Sequence, residues 1–177
     1  KGENYLPTLM SQAAKLADDF GQCILKVLHE AGSANGRWCQ NSGPSLKAEE
    51  RSREKAINDY DHNHCRLVDL LRGTIVCKDF DGVLACFQKL VDLEALGVLI
   101  IVRIKNRFRD GGMPGSRYCD ANINIEFMGH ICEVQLQYKA FYDIKRDGHG
   151  VYKVVRSLQL EGQLVGIPDT TPIPLIT

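Results

Sequence analysis

The chain has 177 residues, enough for one domain of ordinary size, and its 44% hydrophobic content is sufficient for a buried core. Its 22 Lys+Arg residues balance its 22 Asp+Glu residues, so net charge indicates neither a nucleic-acid nor a membrane partner. No apolar run is long enough to span a bilayer and no secretory signal is visible. The 7 cysteines include no C-x-x-C pair, which favours a reducing compartment and predicts a cytoplasmic location.

The first half of the chain predicts three helices, a loop and a strand. Apolar side chains at helical spacing predict a long amphipathic helix over residues 6–30. Residues 31–45 are rich in turn formers and predict a loop, and residues 46–60 then predict a polar helix. Residues 69–77 predict a strand with an acidic residue at its start, and residues 80–91 predict a second amphipathic helix.

The second half predicts three strands, a helix and a tail, and the whole order predicts an α+β fold. We expect a mixed β-sheet of about four to five strands flanked by helices, in one domain over residues 1–160 with a catalytic core at 46–158. The elements are a strand over 98–108, a flexible loop over 109–116, strands over 121–127 and 130–138 joined by a tight turn, a basic helix over 139–160 and an extended tail or linker over 161–177.

The polar helix carries a row of three cations. Lys47, Arg51 and Lys55 are four residues apart, so they share one helix face. Like charges at this spacing destabilise a free helix, and a polyanion lying along the face would offset that cost. The alternative is a solvated face, with Glu49 and Arg53 paired on the opposite side.

A second row of cations lies on one side of the strand at 98–108. Arg103, Lys105 and Arg107 alternate with apolar residues, and Arg109 continues the row. Such a row suits a phosphate-binding groove. It equally suits an edge strand that is kept soluble by charge.

Two acids complete the candidate site. Asp69 begins one strand, and Glu133 lies on the polar side of another. Two carboxylates near a cationic groove suit Mg²⁺, and one of them suits a general base. The alternative is a strand-end acid and a solvated acid that never meet. His62 and His64 with a nearby cysteine suggest zinc only weakly, because no fourth ligand stands at a convincing spacing.

Five segments, taken in order, resemble the synthetase domain of the RelA/SpoT family, and its divergent branches more than its long bacterial enzymes. The segments are LKAEERSREKAINDY, LVDLLRGTIVC, VRIKNRF, RYCDANINI and CEVQLQYKAFYDIKRDGHGVYKVVR. Members of that family transfer pyrophosphate from ATP to the 3′-hydroxyl of GDP or GTP. The resemblance implies a nucleotidyltransferase-like synthetase fold, Mg²⁺ as cofactor, the alarmone (p)ppGpp as product and a role in the stringent response.

The resemblance also implies roles for individual residues. It assigns catalysis and metal binding to Asp69 and Glu133. It implies ATP contacts from Lys47, Arg51, Lys55 and Arg72, phosphate contacts from Arg103, Lys105, Arg107 and His149, and acceptor-nucleotide contacts from Tyr118, Asn122 and Gln135.

The chain departs from the family pattern around the acceptor. Arg117, Asp120 and Asn122 stand where glycine, serine and histidine are common, and Thr74 stands where an arginine packs on adenine. The resemblance therefore implies GDP or GTP as the acceptor, or alternatively an adenosine nucleotide or the tRNA 3′ end, as in related toxins. The expected location is then the host-cell cytoplasm if the protein is a delivered effector. Neutral net charge argues mildly against tRNA. A non-catalytic nucleotide-binding module is the third alternative, although binding alone would not require both acids.

Overall fold

The computed structural model describes residues 5–35, 39–109, 119–144 and 146. Residues 139–144 are helical, where the predicted basic helix begins, and the greater part of that helix, the tail and nearly all of the predicted loop at 109–116 lie outside the described residues. The elements are α1 (Leu6–Asn35), β1 (Cys39–Leu46), α2 (Glu49–Tyr60), a 3₁₀ turn (His64–Arg66), β2 (Leu71–Cys77), α3 (Phe80–Ala95), β3 (Ile100–Asn106), β4 (Ala121–Phe127) and β5 (His130–Tyr138).

The five strands form one mixed sheet in the order β1-β2-β5-β4-β3. The central pair, β2 and β5, is parallel, and the other three pairs are antiparallel. β4 and β5 are joined by the predicted tight turn, in which Met128 and Gly129 both have positive φ, at 51° and 76°. The predicted α+β fold with helices flanking a mixed sheet is confirmed.

One face of the sheet is apolar and is covered by α1 and α3. The helical spacing predicted for the first helix is confirmed, because Phe20, Ile24 and Val27 are all buried against the core. Gly73 of β2 lies directly beneath Phe20 and Ile24, so the backbone of the strand and the helix approach closely. α3 begins at an N-cap, where the Asp79 carboxylate accepts a hydrogen bond from the Gly82 amide at 2.7 Å.

Several of the described cysteine side chains line this apolar face and form no disulfide with one another. Cys77 and Cys86 are buried with their sulfurs 3.9 Å apart, and burial raises the pKa of Cys132 to about 12. A thiol with so high a pKa stays protonated and unreactive. No helix in the described residues is long and apolar enough to cross a membrane.

The loop predicted over residues 31–45 is wrong at both ends, because α1 continues to Asn35 and residues 39–45 belong to β1 at the edge of the sheet. β1 pairs antiparallel with β2 through main-chain hydrogen bonds, which do not require the β-branched side chains that signal a strand. The turn formers Gly43 and Pro44 sit at an irregularity in the register, and Gly43 has a positive φ of 82°. Proline and glycine are tolerated there because the strand is an edge and the ladder is already interrupted.

The predicted start of the polar helix is also wrong, because α2 begins at Glu49 and Lys47 lies in the connection from β1. Leu46 ends β1, and Ala48 keeps an extended backbone with ψ at 138°. The Lys47 amide donates to the Leu70 carbonyl at 2.8 Å, which ties this connection to the start of β2. Lys47 is therefore placed by the sheet and not by a helix face.

Gly73→Ala tests the close packing of α1 on β2. A Cβ at this position would lie 3.2 Å from both Ile24 Cγ1 and Phe20 Cε1, which are buried side chains with little room to move. We expect the free energy of unfolding to fall by about 1–3 kcal/mol, measured as a lower urea midpoint at unchanged m-value. An unchanged midpoint would contradict the packing of α1 described above.

Candidate functional site

The face of the sheet opposite α1 and α3 is lined by polar side chains from four strands. Directly opposite residues on neighbouring strands lie within contact distance, so each row across the sheet forms a continuous surface. One row consists of Arg72, Glu133, Asn124 and Arg103. The next row consists of Thr74, Gln135, Asn122 and Lys105. Strand pairing thus brings together predicted site residues that are far apart in sequence.

Asp69 is bound by two lysines at the start of β2. Lys47 Nζ and Lys55 Nζ both lie on Asp69 Oδ2, at 2.9 and 3.0 Å. The aspartate is nearly buried, with 8% of its surface exposed. Its other oxygen, Oδ1, is buried and has no hydrogen-bond partner within the described residues. Lys47 and Lys55, which were predicted to share one helix face, thus meet at Asp69, although only Lys55 stands on α2.

The three charges shift one another's pKa values. Burial raises the pKa of Asp69, but the hydrogen bonds and attraction of Lys47 and Lys55 outweigh this and hold it below its ordinary 3.8. Burial lowers the pKa of Lys47, and the pull of Asp69 only partly offsets that effect. Burial also lowers the pKa of Lys55, but Asp69, with smaller contributions from Tyr60 and Glu133, raises it overall. Asp69 is consequently a carboxylate whose charge is already balanced by ammonium groups.

Glu133 is only 8% exposed, so the alternative that it is a solvated acid is wrong. The polar face of β5 is largely buried at this point. Gln135 Nε2 donates to Glu133 Oε1 at 2.6 Å. The oxygen of Gln135 in turn accepts from Gln137 Nε2 at 3.0 Å and from Thr74 Oγ1 at 3.4 Å. These three residues of β5 form a ladder of side-chain hydrogen bonds, which we call the β5 ladder. Because a carboxylate only accepts, a charged Glu133 requires the ladder to run in this direction.

The two acids belong to one electrostatic site. Lys55 contacts Asp69 and is close enough to Glu133 for that carboxylate to help raise its pKa. Arg72 stands opposite Glu133 in the register and acts by repulsion on Lys47. The Arg72 Nε is buried and has no partner within the described residues. Three cations therefore surround two carboxylates, which leaves an excess of positive charge at this end of the sheet.

Sequence reasoning missed Asn124, which is 2% exposed at the centre of the first row. Its amide donates to the Val68 carbonyl at 2.9 Å, next to Asp69 in the chain, and its oxygen accepts from Arg103 Nε at 2.9 Å. Asn124 thus fixes the segment that carries Asp69 and orients Arg103. The alternation of asparagine and isoleucine over residues 121–125 was the signal that could have identified it.

Asp120 is a second site residue that the sequence pattern did not identify, and it pairs with Arg107. The Arg107 guanidinium forms a very close ion pair with the Asp120 carboxylate, which is 1% exposed. With its amide nitrogen facing Asp120, Asn122 donates to Asp120 Oδ2 at 3.1 Å and accepts from Arg107 Nη1 at 3.2 Å. The charge of Arg107 is therefore already neutralised inside the protein.

The remaining predicted residues are less closely tied to the two acids. Arg51 is half exposed and pairs with Glu54 on the next turn of α2, at 3.1 Å, so it does not join the two lysines. Lys105 is exposed on β3, which is an edge strand of the sheet. The predicted pair of Glu49 and Arg53 is confirmed at 2.7 Å. Tyr118 and His149 lie outside the described residues.

Solved structures of low identity share this fold. The match to the small alarmone synthetase 1 of Bacillus subtilis bound to its product pppGpp has a TM-score of 0.68 at 12% identity, over 92% of this chain and 89% of that chain. The match to the small alarmone synthetase 2 of Bacillus subtilis has a TM-score of 0.60 at 17% identity and covers 92% of this chain and 89% of that chain. The match to the Type VI effector Tas1, in complex with its immunity protein, has a TM-score of 0.57 at 16% identity and covers 97% of this chain and 90% of that chain.

The chain has the fold of the small alarmone synthetases. The resemblance carried by the five sequence segments is thereby confirmed for the fold. The sequence itself matches no family model and no curated protein. At 12–17% identity the likeness concerns the synthetase fold alone, so the chemistry of the site has to follow from the contacts of its own residues.

Asp69 and Glu133 are the described residues that fit a divalent cation. The buried, unpartnered Oδ1 of Asp69 is an acceptor that a cation would satisfy. Mg²⁺ uses one or two protein carboxylates and completes its shell with water and substrate phosphates, so two acids suffice. The described residues gather no group of three metal-ligating side chains, so the zinc alternative at His62 and His64 finds no support there.

Asp69→Asn tests the charge balance at the start of β2. At about pH 7 we expect the free energy of unfolding to fall by about 1–3 kcal/mol, because two lysines lose their counter-ion. Since the pKa of Asp69 is lowered on folding, its contribution is present above the ordinary 3.8 and is lost as the pH falls through the lowered value. Urea titrations should therefore show wild type and variant converging in acid.

Glu49→Gln is the matched control, because it removes an ion pair of similar length that is about half exposed. We expect this change to cost less than about 0.5 kcal/mol at any pH. A difference between wild type and Asp69→Asn that stayed constant into strong acid would contradict the proposed ion pairing.

Proposed function

We propose that this chain is a Mg²⁺-dependent pyrophosphokinase that transfers the pyrophosphate of ATP to the 3′-hydroxyl of GDP or GTP, giving (p)ppGpp and releasing AMP. The observation that carries the proposal is the gathering of Asp69 and Glu133 with three cations on the polar face of a synthetase fold. A nucleotide-binding module without catalysis would have no need to bury a carboxylate such as Glu133 beside Asp69.

The cations suit a donor triphosphate. Transfer of a pyrophosphoryl group develops charge on several phosphate oxygens, and lysine and arginine side chains offset that charge. Lys47 and Lys55 each make one bond to Asp69 Oδ2, which leaves further donors on both ammonium groups for phosphate oxygens. Arg72 adds an unpartnered, buried Nε at the same end of the sheet.

Glu133 is the candidate general base. The attacking 3′-hydroxyl must lose its proton, and a carboxylate within hydrogen-bond reach can accept it. Gln135 holds Glu133 Oε1 at 2.6 Å, so Oε2 is the oxygen left to face the acceptor. Asp69 and Glu133 would hold the Mg²⁺, which when bound supplies charge neutralisation for the donor phosphates.

The residues at the other end of the polar face bear on the identity of the acceptor base. The small alarmone synthetase 1 of Bacillus subtilis carries pppGpp as its product, which supports a guanine nucleotide. An adenosine nucleotide is the second candidate, because Asp120, which is buried and paired with Arg107, follows Tyr118 by two residues in the sequence. Asp120 and Asn122 here replace residue types expected for guanine recognition, so a different base edge would be recognised.

A transfer assay tests the reaction and the acceptor together. The protein is incubated with γ-labelled ATP, Mg²⁺ and, separately, GDP, GTP, AMP, ATP or tRNA, and label transferred to the acceptor is measured. We expect transfer to GDP or GTP. Preferred transfer to AMP or ATP would support the second candidate, and transfer to none, with nucleotide still bound, would refute both.

Glu133→Gln tests the base. The amide keeps the size of the side chain but cannot take a proton, so we expect the transfer rate to fall by about a hundredfold or more. Binding of a non-hydrolysable ATP analogue, measured by calorimetry, should remain. Rapid transfer by this variant would exclude the role of Glu133.

Binding of Mn²⁺, followed by electron paramagnetic resonance, tests the charge at Asp69. Because Lys47 and Lys55 occupy Asp69 Oδ2, we expect weak Mn²⁺ binding in the absence of nucleotide. A non-hydrolysable ATP analogue should strengthen it by drawing the lysines to its phosphates. Lys55→Met should tighten binding of Mn²⁺ alone about tenfold, whereas Lys89→Met, which removes a cation paired with Asp92 on α3, should not. Equal Mn²⁺ affinity in wild type and Lys55→Met would contradict the account.

A further inference from the structure

The geometry points to Gln137 as a positioning residue that sets the orientation of Glu133 through Gln135. This inference rests on the proposed function, in which Glu133 accepts the proton of the acceptor hydroxyl. Gln137 is 1% exposed and makes no contact with Glu133 itself. Its influence passes through the amide of Gln135, which lies between them on the same strand face.

An amide can present either its oxygen or its nitrogen to a neighbour, and the two ends are similar in size. Gln135 must present its nitrogen to Glu133, because an amide oxygen 2.6 Å from a carboxylate oxygen would place two acceptors in contact. The orientation is decided at the other end of the amide. There, Gln137 Nε2 donates to Gln135 Oε1 at 3.0 Å, and Thr74 contributes a longer bond of 3.4 Å.

The position of the Glu133 carboxylate depends on the bond between Gln137 and Gln135, because no other described side chain holds it. Asn124, directly opposite on β4, is committed to Val68 and Arg103 and gives no hydrogen bond to Glu133. Within the described residues, Gln135 is the side chain that donates to Glu133. Without Gln137, the Gln135 amide can turn, and its oxygen would then repel the carboxylate that has to meet the acceptor hydroxyl.

The remaining oxygen of Gln137 supports this direction of the ladder. Gln137 Oε1 is buried and has no partner within the described residues, and turning the amide would not satisfy it, because it would then face Gln135 Oε1, another acceptor. Turning it would remove the donor from Gln135. The unsatisfied oxygen is therefore the consequence of keeping Nε2 on the ladder.

Two substitutions separate the effect of the hydrogen-bond direction between Gln137 and Gln135 from the effect of the packing of the Gln137 side chain. Gln137→Glu keeps the shape but replaces the donor with an acceptor, so the Gln135 amide is drawn round and its oxygen faces Glu133. Gln137→Met keeps the length and removes the polar group. We expect both to lower kcat on the order of tenfold to a hundredfold, while the dissociation constant of a non-hydrolysable ATP analogue stays within about twofold.

Ile75→Val is the matched control, since Ile75 is buried on the opposite face of β2 and its truncation weakens the core without touching the ladder. Its kcat should stay within about twofold of wild type. Unchanged kcat in both Gln137→Glu and Gln137→Met would overturn the inference. An equal loss of kcat in Ile75→Val would overturn it as well, because stability alone would then explain the effect.

A second readout does not depend on transfer activity, so it separates failure of this inference from failure of the proposed function. In protein with ¹⁵N-labelled glutamine side chains, the Gln135 amide of wild type should be shifted and protected from exchange with solvent. In Gln137→Met the same amide should lose that protection. An unaltered Gln135 amide in Gln137→Met would overturn the inference, even if the protein transferred pyrophosphate to no acceptor.

Discussion

The parallel pairing of β2 with β5 is the constraint on which the site depends. It places Arg72 opposite Glu133 and leaves Asp69 just before the start of the same pair, so acids far apart in the chain share one end of the sheet. The pairing in turn depends on the apolar face, where Gly73 admits the side chains of α1 onto the backbone of β2. A shift of one residue would turn Glu133 to the core and its apolar neighbours to the site.

Charge burial on the polar face is possible because each charge has a partner. Asp69 lies between two ammonium groups, and Asp120 is held by Arg107 and Asn122. Glu133 is held by the β5 ladder. Removing one partner would leave a buried charge without compensation, which costs more than the intact pair contributes. Among the charged side chains of this face, the buried atoms without a partner in the described residues are Asp69 Oδ1 and Arg72 Nε, and both lie at the end with Asp69.

The order of elements was largely predictable because periodicity reports the face that a residue buries. Alternation identified β4 and β5, and helical spacing identified α1 and α3. β1 was missed because its signal lies in main-chain pairing with β2, which leaves no trace in residues such as Gly43 and Pro44. The row of three cations was predicted on one helix, but Lys47 reaches Asp69 from a connection, and Arg51 turns to a neighbour on its own helix.

Which residues support the acids could not be predicted, since support depends on strand order and side-chain direction. Asn124 and Gln137 look like ordinary polar positions of alternating strands, and they gain their roles only when β4, β5 and β2 are aligned. A similar limit applied to Arg107, whose charge suggested phosphate binding in the sequence. Its buried partner Asp120 follows the predicted loop, and their proximity is a property of the hairpin formed by β3 and β4.

Pairing also makes the buried and half-buried charges of the polar face asymmetric, whereas Arg103 and Lys105 lie exposed on β3. At the end with Asp69, the cations outnumber the carboxylates, and each lysine keeps further donors beyond its bond to Asp69. At the end with Asp120, the arginine is neutralised by a carboxylate that is almost fully buried. Of the two proposed substrates, the donor carries the pyrophosphoryl group on which charge develops during transfer, so it is stabilised most where positive charge is in excess. The asymmetry therefore favours the donor nucleotide beside α2 and the acceptor toward β3 and β4, with Glu133 between them.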